Sequence, residues 1–293
     1  MLRCIVSTFF LSITLISVAP AAATPFSFST GDPDGKIGTA SRPSGASKIE
    51  IETGDDFILS NPTDIDHATF VGLLTNGATT SNLGNLHLEM YRVFPKDSDV
   101  TRTSGPPDFS TPRVPTRVNS PSDVAFQERD LGDGDFTLTT QVLNQDFTVA
   151  NSVINGINPK PNQFTGGEGP VTGLEVLFTV NFSNPFSLPA DHYFFVPQVE
   201  VNDDGEFLWL SAPKPIVGGT GPFNPDLQSW IRNENLAPDW LRIGTDITHQ
   251  GPFNAAFSLS GTEVPEPSAL LLFGSGMILL ARINRGKRQR SAS

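Results

Sequence analysis

The alternation of apolar and polar residues in short segments constrains the fold of this chain more than any other feature. Residues 48–52 read Lys-Ile-Glu-Ile-Glu, and residues 86–93 read Leu-His-Leu-Glu-Met-Tyr-Arg-Val. A repeat of two residues puts one set of side chains on each face of a β-strand. Further strands are indicated at 136–142, 147–149, 174–182, 193–201, 207–210 and 253–259, with a break between the first two at Asn144. No segment keeps the 3.6-residue repeat of a long amphipathic helix, which disfavours a parallel sheet with crossover helices.

Turn residues separate these segments at a spacing typical of a β-sandwich or barrel. Asn202-Asp203-Asp204-Gly205 lies between two strong strand segments and predicts a hairpin in which Gly205 supplies the positive φ. Stretches rich in Pro and Gly at 96–121, 158–170 and 212–225 are expected to form long loops. The sequence therefore predicts an all-β body over residues 24–262, folded as a single jelly-roll-like β-sandwich.

The first 23 residues have the features of a secretory signal peptide. Arg3 supplies positive charge, residues 5–19 are uncharged and apolar, Pro20 ends that stretch, and the alanines at 21–23 offer a cleavage site. A buried N-terminal helix is the alternative interpretation. Cys4 is the single cysteine of the chain and would be removed with the signal. The mature chain is then expected to have no disulfide and no thiolate metal site.

Three features follow one another in residues 263–293. Pro265-Glu266-Pro267 comes first, an apolar stretch follows at 268–281, and a basic cluster ends the chain. The basic residues are Arg282, Arg285, Lys287, Arg288 and Arg290. A transmembrane helix over 268–281 would be about 21 Å long, against about 30 Å for the hydrocarbon core of a bilayer, so we expect transient insertion. Basic residues favour the cytoplasmic side, which would leave the body outside.

The order of Pro265-Glu266-Pro267, a short apolar helix and a basic cluster resembles the PEP-CTERM sorting signal of Gram-negative bacteria. The resemblance implies that the tail holds an exported protein in the inner membrane until a membrane protease, exosortase, processes it near Pro-Glu-Pro. It also implies sorting to the cell surface or exterior, often alongside exopolysaccharide or biofilm production. Segments 119–126, 208–213 and 239–242 are similar to uncharacterised β-rich domains of such proteins, which implies no activity. A plain C-terminal anchor is the alternative.

The charge balance excludes one class of partner. The chain has 31 Asp and Glu against 19 Lys and Arg, and its formal net charge is −12. Because many of the basic residues lie in the tail, the body is more acidic than the whole chain. Such a surface repels phosphates, so we expect no nucleic-acid partner.

Acidic side chains cluster on one glycine-containing segment. Asp130, Asp133 and Asp135 surround Gly132 and Gly134, and carboxylates on a flexible loop can provide the oxygen ligands of Ca²⁺. Asp-Gly is also common turn chemistry, and the spacing does not fit a twelve-residue calcium loop, so a calcium site and a metal-free turn both stay open. No other metal or cofactor is expected. The body's histidines show no zinc-type spacing: His67, His87, His192 and His249.

Sequence motifs of catalysis are missing, but a possible sugar-binding group is present. The chain has no Gly-x-Ser-x-Gly elbow, and the mature chain would have no cysteine, so we do not expect an enzyme. Trp230 and Trp240, with Arg242 beside the second, match the aromatic and polar side chains that often contact carbohydrate. The alternative is that these tryptophans fill the core.

These observations predict an exported protein of the cell surface or extracellular matrix with a structural or adhesive role. Its expected partners are an exosortase-type membrane protease and, outside the cell, exopolysaccharide. One alternative is a carbohydrate-binding module for exopolysaccharide. A second is a calcium-stabilised or carbohydrate-active enzyme, whose pair of carboxylates the sequence cannot locate among so many acids.

Overall fold

The computed structural model describes residues 23–45, 48–101, 118–157 and 165–264. These residues are nearly all β and form two mostly antiparallel sheets, which confirms the predicted fold class. The strands are β1 (Thr24–Ser29), β2 (Ile37–Ala40), β3 (Ile51–Leu59), β4 (Thr63–Thr75), β5 (Leu83–Arg92), β6 (Gln127–Asp130), β7 (Phe136–Val149), β8 (Asn151–Val153), β9 (Val171–Leu188), β10 (Asp191–Val201), β11 (Glu206–Ala212), β12 (Trp230–Asn233), β13 (Leu241–Arg242), β14 (Asn254–Ala255) and β15 (Phe257–Glu263). A 3₁₀ helix (Thr80–Asn82) and a π-helix (Ile243–Ile247) complete the elements.

The first sheet has nine strands and is built around β4 and β9. β4 pairs with β9 along one side, and with β15 and then β11 along the other. β7 pairs with the far side of β9, β1 pairs with β15, and β14 pairs with the end of β11. β2 continues the sheet from β11 and pairs in parallel with β8.

The second sheet has six strands in the order β13-β12-β3-β10-β5-β6, all paired antiparallel. The alternation predicted for residues 86–93 is observed in β5. Leu86, Leu88 and Met90 are buried in the core between the sheets, and His87 and Glu89 lie on the opposite face. This outer face of the second sheet carries the candidate site described below.

Aromatic rings make up much of the core between the sheets. Phe70 stacks on Phe178 with 4.8 Å between ring centroids, and Phe207 meets both rings edge-on. Trp209 packs edge-on against Phe257, and its indole N–H donates to the Ala256 carbonyl at 3.0 Å. Burial of these large aromatic side chains stabilises the core, and the Trp209 N–H is buried with its hydrogen bond satisfied. With a single cysteine in the chain, no intrachain disulfide adds to this stability.

Two local predictions are corrected by the structure. The segments predicted at 136–142 and 147–149 belong to one strand, β7, and the expected break at Asn144 is instead an irregularity in its pairing with β9, whose register shifts on both sides of that residue. The 202–205 segment is a turn but not a hairpin, since β10 belongs to the second sheet and β11 to the first. Its positive φ, 59°, falls on Asp203, and Gly205 is not in the positive-φ region.

The two ends of the β body lie side by side at one edge of the first sheet. Thr24 is directly opposite Glu263 in the β1–β15 ladder. One residue further on, the Val264 amide donates to the Pro62 carbonyl at 2.7 Å. Val264 is the last residue that the structure describes at this end, and Pro265 follows it.

The remaining predictions for the two ends concern residues outside the described part of the chain. These are the signal peptide up to residue 22, Pro265-Glu266-Pro267, the membrane helix at 268–281 and the basic cluster at 282–290. Among the residues that the structure describes, no helix is long and apolar enough to cross a membrane.

A buried carboxylate ties the two sheets together. Asp55 on β3 accepts hydrogen bonds from the Ser229 hydroxyl at 3.0 Å and from the Ala255 amide, on β14 of the other sheet, at 2.8 Å. The side chain is buried, and burial, reinforced by the charge of neighbouring Asp56, raises the pKa of Asp55 well above its usual value. Ionisation of Asp55 therefore opposes folding.

This pKa shift predicts a pH dependence of stability. A carboxyl whose pKa is raised by folding contributes its full stability below its unfolded pKa of about 3.9, and this contribution is lost as the pH rises through the folded value. We expect Asp55→Asn, which cannot ionise, to gain stability relative to wild type as pH rises from about 4 to about 8. Urea unfolding across this range measures the difference. A difference that stays constant across this pH range would contradict the assignment.

Candidate functional site

The outer face of the second sheet holds a buried ion pair that the strand register creates. Arg232 on β12 lies directly opposite Glu52 on β3. Two guanidinium nitrogens of Arg232 contact the two carboxylate oxygens of Glu52, one of them at 2.8 Å. The Tyr91 hydroxyl joins the pair, since it donates to Glu52 at 2.6 Å and accepts from Arg232 at 2.7 Å. Each group thus satisfies the others in a dry environment.

Aromatic rings enclose this ion pair. The Arg232 guanidinium lies 4.4 Å from the centroid of the Trp240 ring, and Tyr91 meets that ring edge-on at 5.3 Å. Trp230, Phe194 and their neighbours complete a small apolar cluster on the same face. A guanidinium is weakly hydrated and stacks well on aromatic rings, so it can be buried here at a lower cost than an ammonium group.

The segment at 120–126 covers this face of the sheet. The Ser122 and Phe126 amides donate to the carbonyls of Arg92 and Met90, each at 2.8 Å, which fixes the segment along the edge of β5. The Ser122 carbonyl in turn accepts the indole N–H of Trp240 at 3.1 Å. Both faces of the sheet are therefore covered at this place, one by the core and the other by this segment.

The pKa values of the two buried carboxylates on this face, Glu52 and Glu89, are shifted in opposite directions. Burial alone would raise the pKa of Glu52, but the charge and hydrogen bonds of Arg232 outweigh it and leave that pKa below its usual value. Glu89 is also buried, and burial raises its pKa to about 7 in spite of the His87 imidazole beside it. The pKa of one carboxylate is thus lowered and that of its neighbour is raised.

His87 occupies the position next to Glu89 on the same face of β5. Its Nε2 lies 3.6 Å from a carboxylate oxygen of Glu89 and 3.6 Å from one of Glu128 on β6. Its Nδ1 lies 3.2 Å from a carboxylate oxygen of Asp130. Contact with Glu89, opposed by burial and reinforced by the other acids, raises the pKa of His87 to about 9.

The structure places Asp130, Asp133 and Asp135 around one turn, and calcium binding by them stays a prediction. Asp130 accepts two contacts from the Asn85 amide nitrogen, at 2.8 and 3.0 Å, and one from the Gly132 amide at 2.6 Å. Asp135 accepts from the Asp130 amide at 3.1 Å, and Asp133 joins no group of possible metal ligands among the described residues. N–H donors and a cation compete for the same lone pairs, so these aspartates close a turn.

The carbohydrate prediction for Trp230 and Trp240 also stays a prediction. Each indole is only 1 % exposed, so little of either ring surface is open to a sugar. Arg242 is paired with Asp246 through two nitrogen–oxygen contacts of 2.7 and 2.9 Å. Trp230 and Arg242 do line an open pocket of about 580 Å³, but the buried indole contributes little surface to it.

Sequence reasoning missed the group around His87. Spacing rules for metal ligands look for pairs within one helix or loop, whereas His87 and Glu128 come from two neighbouring strands of a sheet. The available signal was His87-Leu88-Glu89 within an alternating segment, since residues two apart share a face of a strand. Pairing of β5 with β6, which brings in Glu128, could not be deduced from that signal.

Comparison with known proteins identifies one part of the chain. A model of the PEP-CTERM protein-sorting motif matches residues 263–287. This range contains Pro265-Glu266-Pro267, the apolar stretch and the basic residues up to Lys287, and it confirms the resemblance drawn from the sequence. No curated protein and no solved structure matches the chain.

Proposed function

We propose that this chain, which carries a PEP-CTERM sorting motif at its C-terminus, is an exported protein whose β body has a structural or adhesive role at the cell surface or in the extracellular matrix. The motif supports export and processing by exosortase. The observation that carries the proposal is the position of the motif. The last described strand, β15, ends at Glu263, two residues before Pro265, so cleavage near Pro-Glu-Pro leaves every described strand intact.

The outer face of the second sheet supports a non-catalytic body. Both oxygens of Glu52 are held by Arg232, one also accepts from Tyr91, and the side chain is buried. Glu89 is buried beside Gln198, whose amide donates to it at 2.9 Å. A glycosidase needs two carboxylates that reach a sugar from opposite sides. These two carboxylates instead lie within one covered network.

An adhesive role is supported by the edge of the first sheet. β7 has fourteen residues, and among the described residues its strand partner is β9 alone. Its side chains between residues 137 and 148 are mostly exposed on both faces, with Val142 and Leu143 among them. A long edge strand with unpaired backbone groups is a surface on which another chain can add a strand.

Substitution of the motif tests the proposed sorting. We expect a variant with alanine at 265, 266 and 267 to remain unprocessed and to accumulate in the inner-membrane fraction, because the protease would lack its recognition residues. The control replaces Ser291 and Ser293, beyond the matched range, by alanine. Cell fractionation and mass spectrometry of the C-terminus are compared in hosts with and without exosortase. Normal maturation of the triple variant, or maturation in the host without exosortase, would contradict the proposal.

A further inference from the structure

We propose that His87, Glu89 and Glu128 form a binding site for a divalent transition-metal ion of the Zn²⁺ class on the outer face of the second sheet. The three side chains are the one group of at least three candidate metal ligands among the described residues, and their ligand atoms lie within 4.8 Å of one another. This site goes beyond the proposed sorting and adhesive function, and neither depends on the other.

The distances around His87 fit a metal better than a direct hydrogen bond. Its Nε2 is 3.6 Å from one oxygen of Glu89 and from one of Glu128, beyond normal hydrogen-bond range. Two ligand atoms that each bind Zn²⁺ at about 2.1 Å with a tetrahedral angle are about 3.4 Å apart. An ion placed between these three atoms would therefore require only a small adjustment. Glu128 can make it, because its side chain is 69 % exposed.

The strand register explains why these groups meet. Glu89 lies directly opposite Glu128 in the β5–β6 ladder, and His87 lies two residues before Glu89 on the same face. Two carboxylates directly opposite each other on paired strands repel. Positive charge between them offsets this repulsion, whether it comes from the His87 imidazole or from a bound divalent cation.

The surroundings of His87 match those of a metal-binding histidine. Such a histidine binds the ion through one ring nitrogen and holds a carboxylate with the other. His87 directs Nε2 at the two glutamates and Nδ1 at Asp130, and Asp130 is itself fixed by Asn85. The Asp130 carboxylate predicted as a calcium ligand would thus act as an outer partner that orients the imidazole.

Gln198 helps to hold Glu89 in this group. It lies on β10 directly across from His87 and donates through its Nε2 to Glu89 at 2.9 Å. Its side chain is 1 % exposed, and its Oε1 has no hydrogen-bond partner among the described residues. A buried amide oxygen of this kind can accept from an ordered water molecule.

The ligand set selects the class of metal. Two carboxylates and one imidazole suit Zn²⁺ and similar ions, whereas Ca²⁺ and Mg²⁺ prefer all-oxygen sites. With three protein ligands, a tetrahedral ion here would keep one position open.

Metal titration of the full chain, purified in detergent and treated with chelator, tests the proposal. We expect one Zn²⁺ per chain by calorimetry, and tetrahedral visible absorption when Co²⁺ is used instead. His87→Ala and the exposed substitution Glu128→Gln should each weaken Zn²⁺ binding, the first by more than about 100-fold, and Asp130→Asn should weaken it by about 10- to 100-fold. Urea unfolding without metal verifies that each variant is folded.

The matched control is His67→Ala. His67 lies on β4 of the other sheet, is hydrogen-bonded to Asn181 at 3.0 Å and belongs to no candidate ligand group among the described residues. Its removal should leave Zn²⁺ affinity unchanged. The proposal is overturned if wild type binds no stoichiometric Zn²⁺. It is equally overturned if folded His87→Ala or folded Glu128→Gln binds Zn²⁺ as wild type does, or if the bound Co²⁺ is octahedral.

Discussion

Replacing Arg232 by methionine is expected to destabilise the body by about 3–5 kcal/mol, because Glu52 is then left buried and charged without a partner. Methionine retains much of the volume that packs against Trp240, so little cavity forms. The loss of stability therefore comes mainly from the missing charge and hydrogen bonds of Arg232. Urea unfolding followed by circular dichroism measures the change. A loss of this size is a large fraction of the stability of a typical domain and would lower the yield of folded protein.

A double substitution separates the ion pair from packing. Glu52→Gln combined with Arg232→Met removes both charges, and we expect the double variant to be more stable than Arg232→Met alone. The surface control is Lys36→Met, since Lys36 is 67 % exposed in its pair with Asp34 and such pairs contribute at most about 1 kcal/mol. If Arg232→Met costs no more than Lys36→Met, the Arg232–Glu52 pair is not buried in solution.

Replacing Trp240 by alanine is expected to cost about 3–5 kcal/mol, the range for removal of a buried tryptophan. The indole contacts both Tyr91 and the Arg232 guanidinium, and its N–H satisfies the Ser122 carbonyl. The variant would therefore lose packing, leave a carbonyl unpaired and loosen the covering segment. Trp240→Phe keeps an aromatic ring and should cost less than the alanine variant in the same urea measurement.

Tryptophan fluorescence provides the independent check on this assignment. The chain has three tryptophans, and Trp209, Trp230 and Trp240 are each 1 % exposed. We expect blue-shifted emission that acrylamide quenches poorly. Emission typical of solvent-exposed indole, together with an unchanged urea midpoint for Trp240→Ala, would restore the interpretation of Trp240 as a surface residue available to sugars.

Features that depend only on neighbouring residues in the chain could be predicted from the sequence. Alternation in 86–93 predicts which side chains of β5 face the core, because a strand has only two faces. Pro265-Glu266-Pro267 with its apolar and basic neighbours predicts the sorting motif, because all three parts are contiguous in the chain. Neither inference depends on how distant segments pack.

The remaining features depend on pairing between distant segments. The turn at 202–205 carries correct turn residues, but only the sheet order shows that it crosses from one sheet to the other. Trp240 is buried because the 120–126 segment packs against it, and that segment precedes Trp240 by more than one hundred residues in the chain. The group of His87 and Glu128 likewise forms only when β5 pairs with β6. Periodicity reports the two faces of a strand and not what covers each face.

The mass of the mature protein, isolated from the cell exterior, tests the central claim most directly. That claim is that the folded body ends where the sorting segments begin. Intact-mass spectrometry should give a chain that starts near Thr24 and ends close to Pro265-Glu266-Pro267, with β1 and β15 both complete. A chain recovered from the cytosol with residues 1–23 and 268–293 still attached, and no shorter form outside the cell, would contradict the account.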